Sequence, residues 1–184
     1  MDIAFGWLGQ LADFLFSLFP RIIIVNPTQR GVRFKYGRHV SEITPGVRCF
    51  WPVVTEVEVY PVVRQTLNLD SQTLCTSDGR VVGVAGVVVY SVPNIIDFVT
   101  ETHDGENCIR DIALMAISEV VTSNEYVYLQ NDNKKVRMEL RNRMGASLKR
   151  FGVSVKQVQL SDFFPLHLAI ANWNPGEGKW TGLA

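Results

Sequence analysis

The chain has 184 residues, with 18 Lys and Arg against 18 Asp and Glu, so its formal net charge is zero. A neutral chain has no global field that attracts nucleic acid, and we expect no nucleic-acid partner. The hydrophobic fraction of 47% excludes a disordered chain. Three widely separated cysteines predict neither a disulfide framework nor a zinc site, and they favour a reducing compartment.

Residues 3–19 are strongly apolar, and on a helix their polar and apolar side chains would lie on different sides. The polar residues and glycines fall within an arc of roughly 100°, and the remaining ~220° is apolar. About 17 residues reach roughly 25 Å, which is short of the ~30 Å hydrocarbon core of a bilayer, and Asp13 falls near the middle. The pattern favours an anchor helix that lies in the membrane interface over residues 1–20. Two alternatives are a groove on a partner subunit and packing on the chain's own domain.

The predicted bilayer contacts in this segment are its large apolar side chains, namely Phe5, Trp7, Leu8, Leu11, Phe14, Leu15, Leu18 and Phe19. Arg21 follows directly and is predicted to contact a lipid headgroup. Further basic residues follow at positions 30, 33, 35 and 38. By the positive-inside rule, the globular part is then cytoplasmic. A cleaved signal peptide is not expected, because no Lys or Arg precedes the apolar run.

The next part of the chain is dominated by strand patterns. Residues 21–25 are β-branched, residues 31–36 alternate apolar with basic side chains, and residues 55–69 are extended with a break at Pro61. A turn at residues 77–80 leads into residues 80–92, which are apolar on both faces and therefore predict a buried central strand.

Two glycines in that strand, Gly83 and Gly86, are expected to leave room for a packed helix. A turn is also predicted at residues 44–46, before the segment that contains Phe50 and Trp51.

The second half changes to helical periodicity. A short helix is predicted over residues 93–101, with Pro93 in its first turn. Asp104 is expected to cap a longer helix to residue 121, and Asp132 to cap another to residue 151, where Gly152 ends it. Residues 123–129 are ambiguous, and residues 153–160 return to strand.

Four stretches resemble the SPFH, or band 7, family of stomatins, prohibitins and flotillins. Residues 25–38 resemble the family's opening strand pair, and residues 44–52 (TPGVRCFWP) resemble its P-G-[LI]-x-[FW]-x-x-P loop. Residues 69–93 resemble its long strand pair, and residues 151–162 (FGVSVKQVQLSD) its closing strand. The resemblance covers about residues 21–168, and its specificity lies in the order of four individually weak motifs.

The family resemblance implies an α+β fold with two subdomains. SPFH1, over residues 21–92, is then a mainly antiparallel β unit, and SPFH2, over residues 93–164, a small unit of βααβ type. Residues 165–184 form a short apolar segment and a tail rich in Pro, Gly and Trp. They offer no room for the long C-terminal coiled coil of the family, so the chain resembles a minimal member.

The resemblance also implies a function. Family members are membrane-tethered scaffolds that oligomerise with themselves or with SPFH relatives and organise membrane microdomains. They act on partner membrane proteins such as proteases and channels. Phe50 and Trp51 lie in a loop that is near the bilayer in the family, and they are predicted as a second, shallow membrane contact. The alternative for both rings is that they fold inward. An alternative for the whole chain is a subunit of a structural shell or cage, with the N-terminal helix packed between protein subunits.

No catalytic residues, metal ligands or cofactor are predicted, and the chain is not expected to be an enzyme. His39, His103 and His167 lie far apart in the sequence, and each has an ordinary surface or packing setting. Residues 176–179 (GEGK) lack the upstream glycine and the following helix of a phosphate-binding loop. Cys49 is interpreted as a partly buried thiol, with acylation at a membrane as the alternative.

Overall fold

A computed structural model describes residues 19–131, 133–166, 172–174 and 179–181. This part of the chain contains antiparallel sheets and four α-helices, which confirms the α+β fold class. Residues 1–18 contain most of the predicted anchor helix and lie outside the described residues. Two compact units can be distinguished, and each is formed by segments that are separated in the sequence.

The first unit contains a two-stranded ribbon and a three-stranded antiparallel sheet. The ribbon pairs β1 (Arg21–Val25) with β4 (Gly46–Phe50). The sheet has the order β3 (His39–Ile43), β2 (Gln29–Lys35), β5 (Thr55–Pro61). Val25 and Val32 are almost fully buried, and they fix the inner faces of these strands.

The three longest strands form a second sheet in the order β6 (Gln65–Cys75), β7 (Val81–Ser91), β8 (Ser154–Pro165). As predicted, β7 is the central strand of this sheet. Most of its residues are buried and none is exposed, which agrees with its unbroken apolar run. Gly79 has a φ of +80° in the predicted turn before it, a conformation that favours glycine.

The two glycines of β7 have different neighbours. A Cβ on Gly86 meets the Gln159 carbonyl oxygen at 3.1 Å and the Ile117 side chain at 3.3 Å, so a helix does approach there. A Cβ on Gly83 meets the Phe164 ring at 2.6 Å instead. The expectation of a helix over Gly83 is therefore wrong, because β8 continues past residue 160 and brings Phe164 to this position.

The helices follow the predicted order, with shifted ends. They are α1 (Ile95–Glu101), α2 (Gly105–Ser123), α3 (Tyr126–Asn131) and α4 (Asn133–Leu148). Pro93 lies before the first helix rather than in its first turn, because Asn94 is the N-cap and accepts a hydrogen bond from the Asp97 backbone N–H.

Both longer helices bury the stripes that the sequence predicts. Asp104 caps α2 by accepting the Asn107 N–H, and α2 buries its apolar side from Ile109 to Val121. Helix α4 buries a second stripe of four apolar residues, which are Val136, Leu140, Met144 and Leu148. A 3-10 turn (Lys149–Phe151) follows, and Gly152 ends it with a φ of +70°. The predicted cap Asp132 lies outside the described residues.

Three strands were not predicted from the sequence. They are β3 and the short hairpin of β9 (Asn172–Asn174) with β10 (Lys179–Thr181). The predicted division into anchor, SPFH1, SPFH2 and tail uses consecutive segments, whereas the compact units interleave along the chain. Those predicted boundaries stay a prediction.

Candidate membrane-contact surface

The β1–β4 ribbon has one inward and one outward face. Its antiparallel register pairs Ile22 with Cys49 and Ile24 with Val47, so these four residues share one face. The other face carries Arg21, Ile23 and Val25 from β1, with Arg48 and Phe50 from β4. Arg21 pairs with Phe50, and Ile23 pairs with Arg48. Because Val25 is buried at 2% exposure, the face that it belongs to points inward.

The outward face is apolar and exposed. Ile22 is 71% exposed, Ile24 67% and Val47 69%. Cys49 is also an exposed free thiol, so the interpretation of Cys49 as partly buried is wrong, because its side chain shares the outward face of the ribbon with Ile22. A large apolar side chain that points into water gains nothing from the fold, and a contiguous group of them indicates a contact with something else. We call these four residues the ribbon face.

The inward face lines a cavity of about 260 Å³ within the first unit. Ile23, Arg48 and Phe50 contribute to it, together with Arg33 and Glu42 from the neighbouring sheet. Arg48 donates a hydrogen bond of 2.7 Å to the Thr44 hydroxyl. Phe50 is thus half-buried against polar groups, whereas the Trp51 side chain next to it is 52% exposed.

The ribbon also explains how distant residues meet at one end. Arg21 pairs with Phe50, so the residue that follows the predicted anchor lies beside the loop residues 50 and 51. Phe19 is 64% exposed and precedes this pair, while Trp51 follows it on the other strand. The N-terminal segment therefore enters the fold at the point where the predicted second membrane contact begins.

The predicted site residues divide into two groups. Phe19, Arg21, Phe50 and Trp51 lie together at this end of the ribbon. The remaining predicted contacts lie outside the described residues, and they are Phe5, Trp7, Leu8, Leu11, Phe14, Leu15 and Leu18. Membrane contact by either group stays a prediction.

Sequence reasoning missed the ribbon face. The β-branched pattern of residues 21–25 predicts a strand, but nothing in RIIIV alone shows which isoleucines face inward. Ile22 and Ile24 would be recognised as one exposed face with residues 47 and 49 only if the antiparallel pairing of the two segments were known. That pairing is long-range and has no local signature.

The part of the chain that the structure describes contains no group of three or more His, Cys, Asp or Glu side chains placed to hold a metal ion. His39 and His103 are exposed, and His167 lies outside it. The helices described there include none that is both long and apolar enough to cross a membrane.

Comparison with known proteins identifies the family. The model of the SPFH domain / Band 7 family matches residues 23–169, and the chain belongs to this family. The match confirms the resemblance that the four sequence stretches indicated.

Individual relatives are distant in sequence. The chain is 26% identical to an uncharacterized protein of Archaeoglobus fulgidus, over 85% of this chain and 63% of that protein. It is 23% identical to Stomatin-1 of Caenorhabditis elegans, over 87% of this chain and 49% of the relative. It is 24% identical to Protein HflK of Treponema pallidum, over 85% and 55% respectively. The chain thus spans less than two thirds of each of these three relatives.

Proposed function

We propose that this protein is a membrane-anchored scaffold without enzymatic activity, whose partner at the ribbon is a lipid bilayer. The observation that carries the proposal is the exposed ribbon face together with Phe19, Arg21 and Trp51 at its end. These residues lie where the chain leaves the predicted anchor, since Phe19 ends the apolar run, Arg21 follows the anchor directly in the sequence, and Arg21 pairs with Phe50. A bilayer surface is the partner whose chemistry suits both the anchor and the end of the ribbon.

The energetics favour lipid as the environment of this surface. Moving a large apolar side chain out of water contributes about 1.5–3 kcal/mol, and the ribbon face carries three such residues in addition to those of the anchor. Tryptophan suits the membrane–water interface, and arginine suits anionic headgroups. Trp51 and Arg21 lie at the same end of the ribbon, as an interfacial arrangement requires.

The scaffold role follows from the family. We infer that the chain oligomerises, alone or with SPFH relatives, and organises a membrane microdomain or modulates membrane proteins such as proteases or channels. The basic residues after the anchor support a cytoplasmic position for the globular part. No reaction is proposed, and the chain would act by holding partners at the membrane.

Liposome flotation tests the proposal directly. The full-length protein is expected to float with vesicles of mixed neutral and anionic lipid. The variant Leu11→Asp with Leu15→Asp should remain at the bottom of the gradient, because two carboxylates enter the apolar arc of the anchor. Val47→Asp alone should reduce the floating fraction, since it charges the ribbon face and leaves the anchor intact.

The matched control places the same charges elsewhere. Met115→Asp with Val127→Asp changes two residues that are 71% and 52% exposed on helices α2 and α3, and it should float as the wild type does. Flotation of the Leu11/Leu15 variant would contradict the anchor assignment. A wild-type chain that assembles but never floats would instead support the shell subunit, with the anchor helix between protein subunits.

A further inference from the structure

The cavity of about 260 Å³ in the first unit combines two arginines with apolar walls. Ile23 and Phe50 line it from the inward face of the ribbon, and Ile43 lines it from the end of β3. Its cations are Arg48, from the ribbon, and Arg33, from β2. We call this space the ribbon cavity.

Both guanidinium groups of the ribbon cavity are oriented by hydroxyls. The Arg33 Nε–H donates to the Ser41 hydroxyl at 3.1 Å, and an Arg48 Nη–H donates to the Thr44 hydroxyl at 2.7 Å. Among the described residues, neither arginine belongs to an ion pair. A hydroxyl fixes the direction of a guanidinium but leaves its charge uncompensated, and most of its five N–H donors remain for a ligand.

One carboxylate borders the ribbon cavity, but it belongs to the other face of the sheet. The register pairs Ser41 with Arg33, and it pairs the next residue, Glu42, with Val32. Successive side chains of a strand point to opposite faces, so Glu42 lies on the face opposite Arg33. There it forms an ion pair of 3.5 Å with Arg30. The uncompensated charge of the cavity is therefore that of its two arginines.

Two guanidinium groups beside apolar walls suit a phosphate ester. The planar fork of each guanidinium matches phosphate oxygens, and such charge-assisted hydrogen bonds are strong. At about 30 Å³ per water molecule, the ribbon cavity has room for roughly eight waters, which is enough for a phosphate group and its ester carbons. The apolar walls suit those carbons, which a free phosphate ion lacks.

The position of the ribbon cavity favours a lipid as the source of that phosphate. Phe50 lines the cavity and pairs with Arg21, at the end of the ribbon where Trp51 is exposed. The cavity thus shares a wall with the proposed membrane contact. A zwitterionic headgroup would bring its own cation toward the two arginines, so an anionic headgroup fits better.

We propose that the ribbon cavity binds the phosphate of an anionic phospholipid headgroup, with Arg33 and Arg48 as its two cationic ligands. This inference rests on the proposed function, because the ribbon must lie at a bilayer for a headgroup to reach the cavity. It adds that the chain selects the lipid around it by headgroup charge.

Flotation of the full-length protein on two kinds of vesicle tests the proposal. One kind is phosphatidylcholine alone, and the other contains phosphatidylglycerol as well. Wild type should bind the anionic vesicles at a lipid concentration lower by about tenfold or more, and Arg33→Gln with Arg48→Gln should lose most of this preference. The charge-matched control is Arg64→Gln with Lys149→Gln, which removes two exposed cations of the same unit outside the cavity and should keep the preference.

A variant that changes no charge separates a built site from general attraction to an anionic surface. Thr44→Val removes the hydroxyl that orients Arg48, and it should reduce the preference by about threefold or more. Thr100→Val is its control, because that hydroxyl donates only to the Ile96 carbonyl within helix α1. Circular dichroism of every variant separates a lost site from a lost fold.

Inorganic phosphate distinguishes a lipid headgroup from a soluble phosphate. In equilibrium dialysis of the wild type in mild detergent without lipid, inorganic phosphate should not be retained, because it cannot use the apolar walls. Retention of phosphate that is abolished by Arg33→Gln with Arg48→Gln would assign the cavity to a soluble phosphate compound and overturn the lipid assignment.

The vesicle results also distinguish failure of this inference from failure of the proposed function. If wild type floats equally well on both kinds of vesicle, the headgroup site is wrong while the membrane scaffold stands. The same holds if folded Thr44→Val keeps the full preference. If wild type floats on neither, the proposed function is contradicted and the headgroup site with it.

Discussion

Gly152 occupies a position where only glycine fits, for two independent reasons. Its φ of +70° lies in the left-handed region that side chains with a Cβ rarely adopt. A Cβ at this residue would also lie 2.1 Å from the Asn94 carbonyl oxygen. The Asn94 N–H donates to the Gly152 carbonyl, so the end of the helical region and the N-cap of α1 are held together here.

Substitution of Gly152 by alanine should therefore destabilise the protein by about 2 kcal/mol or more. Gly145 is the matched control, because it lies within helix α4 and an added Cβ there meets nothing within 4 Å. Gly145→Ala should stabilise by about 0.5–1 kcal/mol, since alanine is the better helix former. Denaturant unfolding of the two variants measures the change in the free energy of unfolding. Equal changes for Gly152→Ala and Gly145→Ala would contradict the constraint at Gly152.

Single residues such as Gly152 were predictable from the sequence because their role is local. A glycine directly after an amphipathic run indicates a helix end, and the sequence contains that signal in full. The exposure of Ile22 and Ile24 was not predictable, because it depends on pairing with residues 47 and 49. No pattern within five residues of β1 reports that pairing.

At the scale of elements, the turn between β6 and β7 is fastened to the connection between α2 and α3. The Asp78 carboxylate accepts hydrogen bonds from the Thr76 hydroxyl and from the Tyr126 backbone N–H, the latter at 3.2 Å. Its ion pair with Arg80 spans 3.3 Å. The Ser77 N–H donates to the Asn124 carbonyl. A hairpin turn and a helical connection are thus joined by one carboxylate and its neighbours.

These contacts make stability depend on pH in a definite direction. The Thr76 hydrogen bond, followed by the Tyr126 N–H and the Arg80 charge, lowers the pKa of Asp78 below its ordinary value of 3.8. A carboxylate with a lowered pKa in the folded state stabilises the fold above its unfolded pKa. That stabilisation is lost as the pH falls through the folded pKa.

We expect Asp78→Asn to be less stable than the wild type at neutral pH, with the difference shrinking as the pH falls below about 4. Thermal unfolding midpoints of both proteins over this range measure the effect. Asp70→Asn, which removes a carboxylate from the exposed side of β6, controls for the loss of one negative charge. A difference between wild type and Asp78→Asn that is unchanged at low pH would contradict the assignment.

Strands and helices with a regular apolar pattern in their own sequence were predictable. Strands whose conformation depends on pairing with a distant segment of the chain were not. Strand β7 and helices α2 and α4 follow from an unbroken apolar run and from 3.6-residue periodicity. Strand β3 was missed because HVSEI mixes polar and apolar residues, and its pairing with β2 decides its conformation. The extension of β8 to Pro165 was missed because Phe163 and Phe164 interrupt its alternation.

At the scale of the whole molecule, the proposed membrane contact uses the end of the ribbon, where exposed apolar and aromatic residues lie. Charges are separated by sign elsewhere in the sequence, since five of the six charged residues between positions 97 and 111 are acidic and eight of the nine between 134 and 156 are basic. The proposed scaffold would keep the ribbon end on the bilayer and leave these charged stretches for other contacts. The family was predictable from the sequence, but the exposed ribbon face became visible only with the long-range pairing of β1 and β4.

Tryptophan fluorescence can show whether lipid surrounds the anchor and the end of the ribbon, as we propose. The chain has four tryptophans, and variants that keep only Trp7 or only Trp51 report on the anchor and on the ribbon separately. A tryptophan-free chain with Val127→Trp provides a reference on helix α3. On vesicles of brominated lipid, the account predicts that Trp7 and Trp51 are quenched and that the reference residue keeps its fluorescence. Unquenched emission from Trp7 and Trp51 in vesicle-bound protein would contradict it.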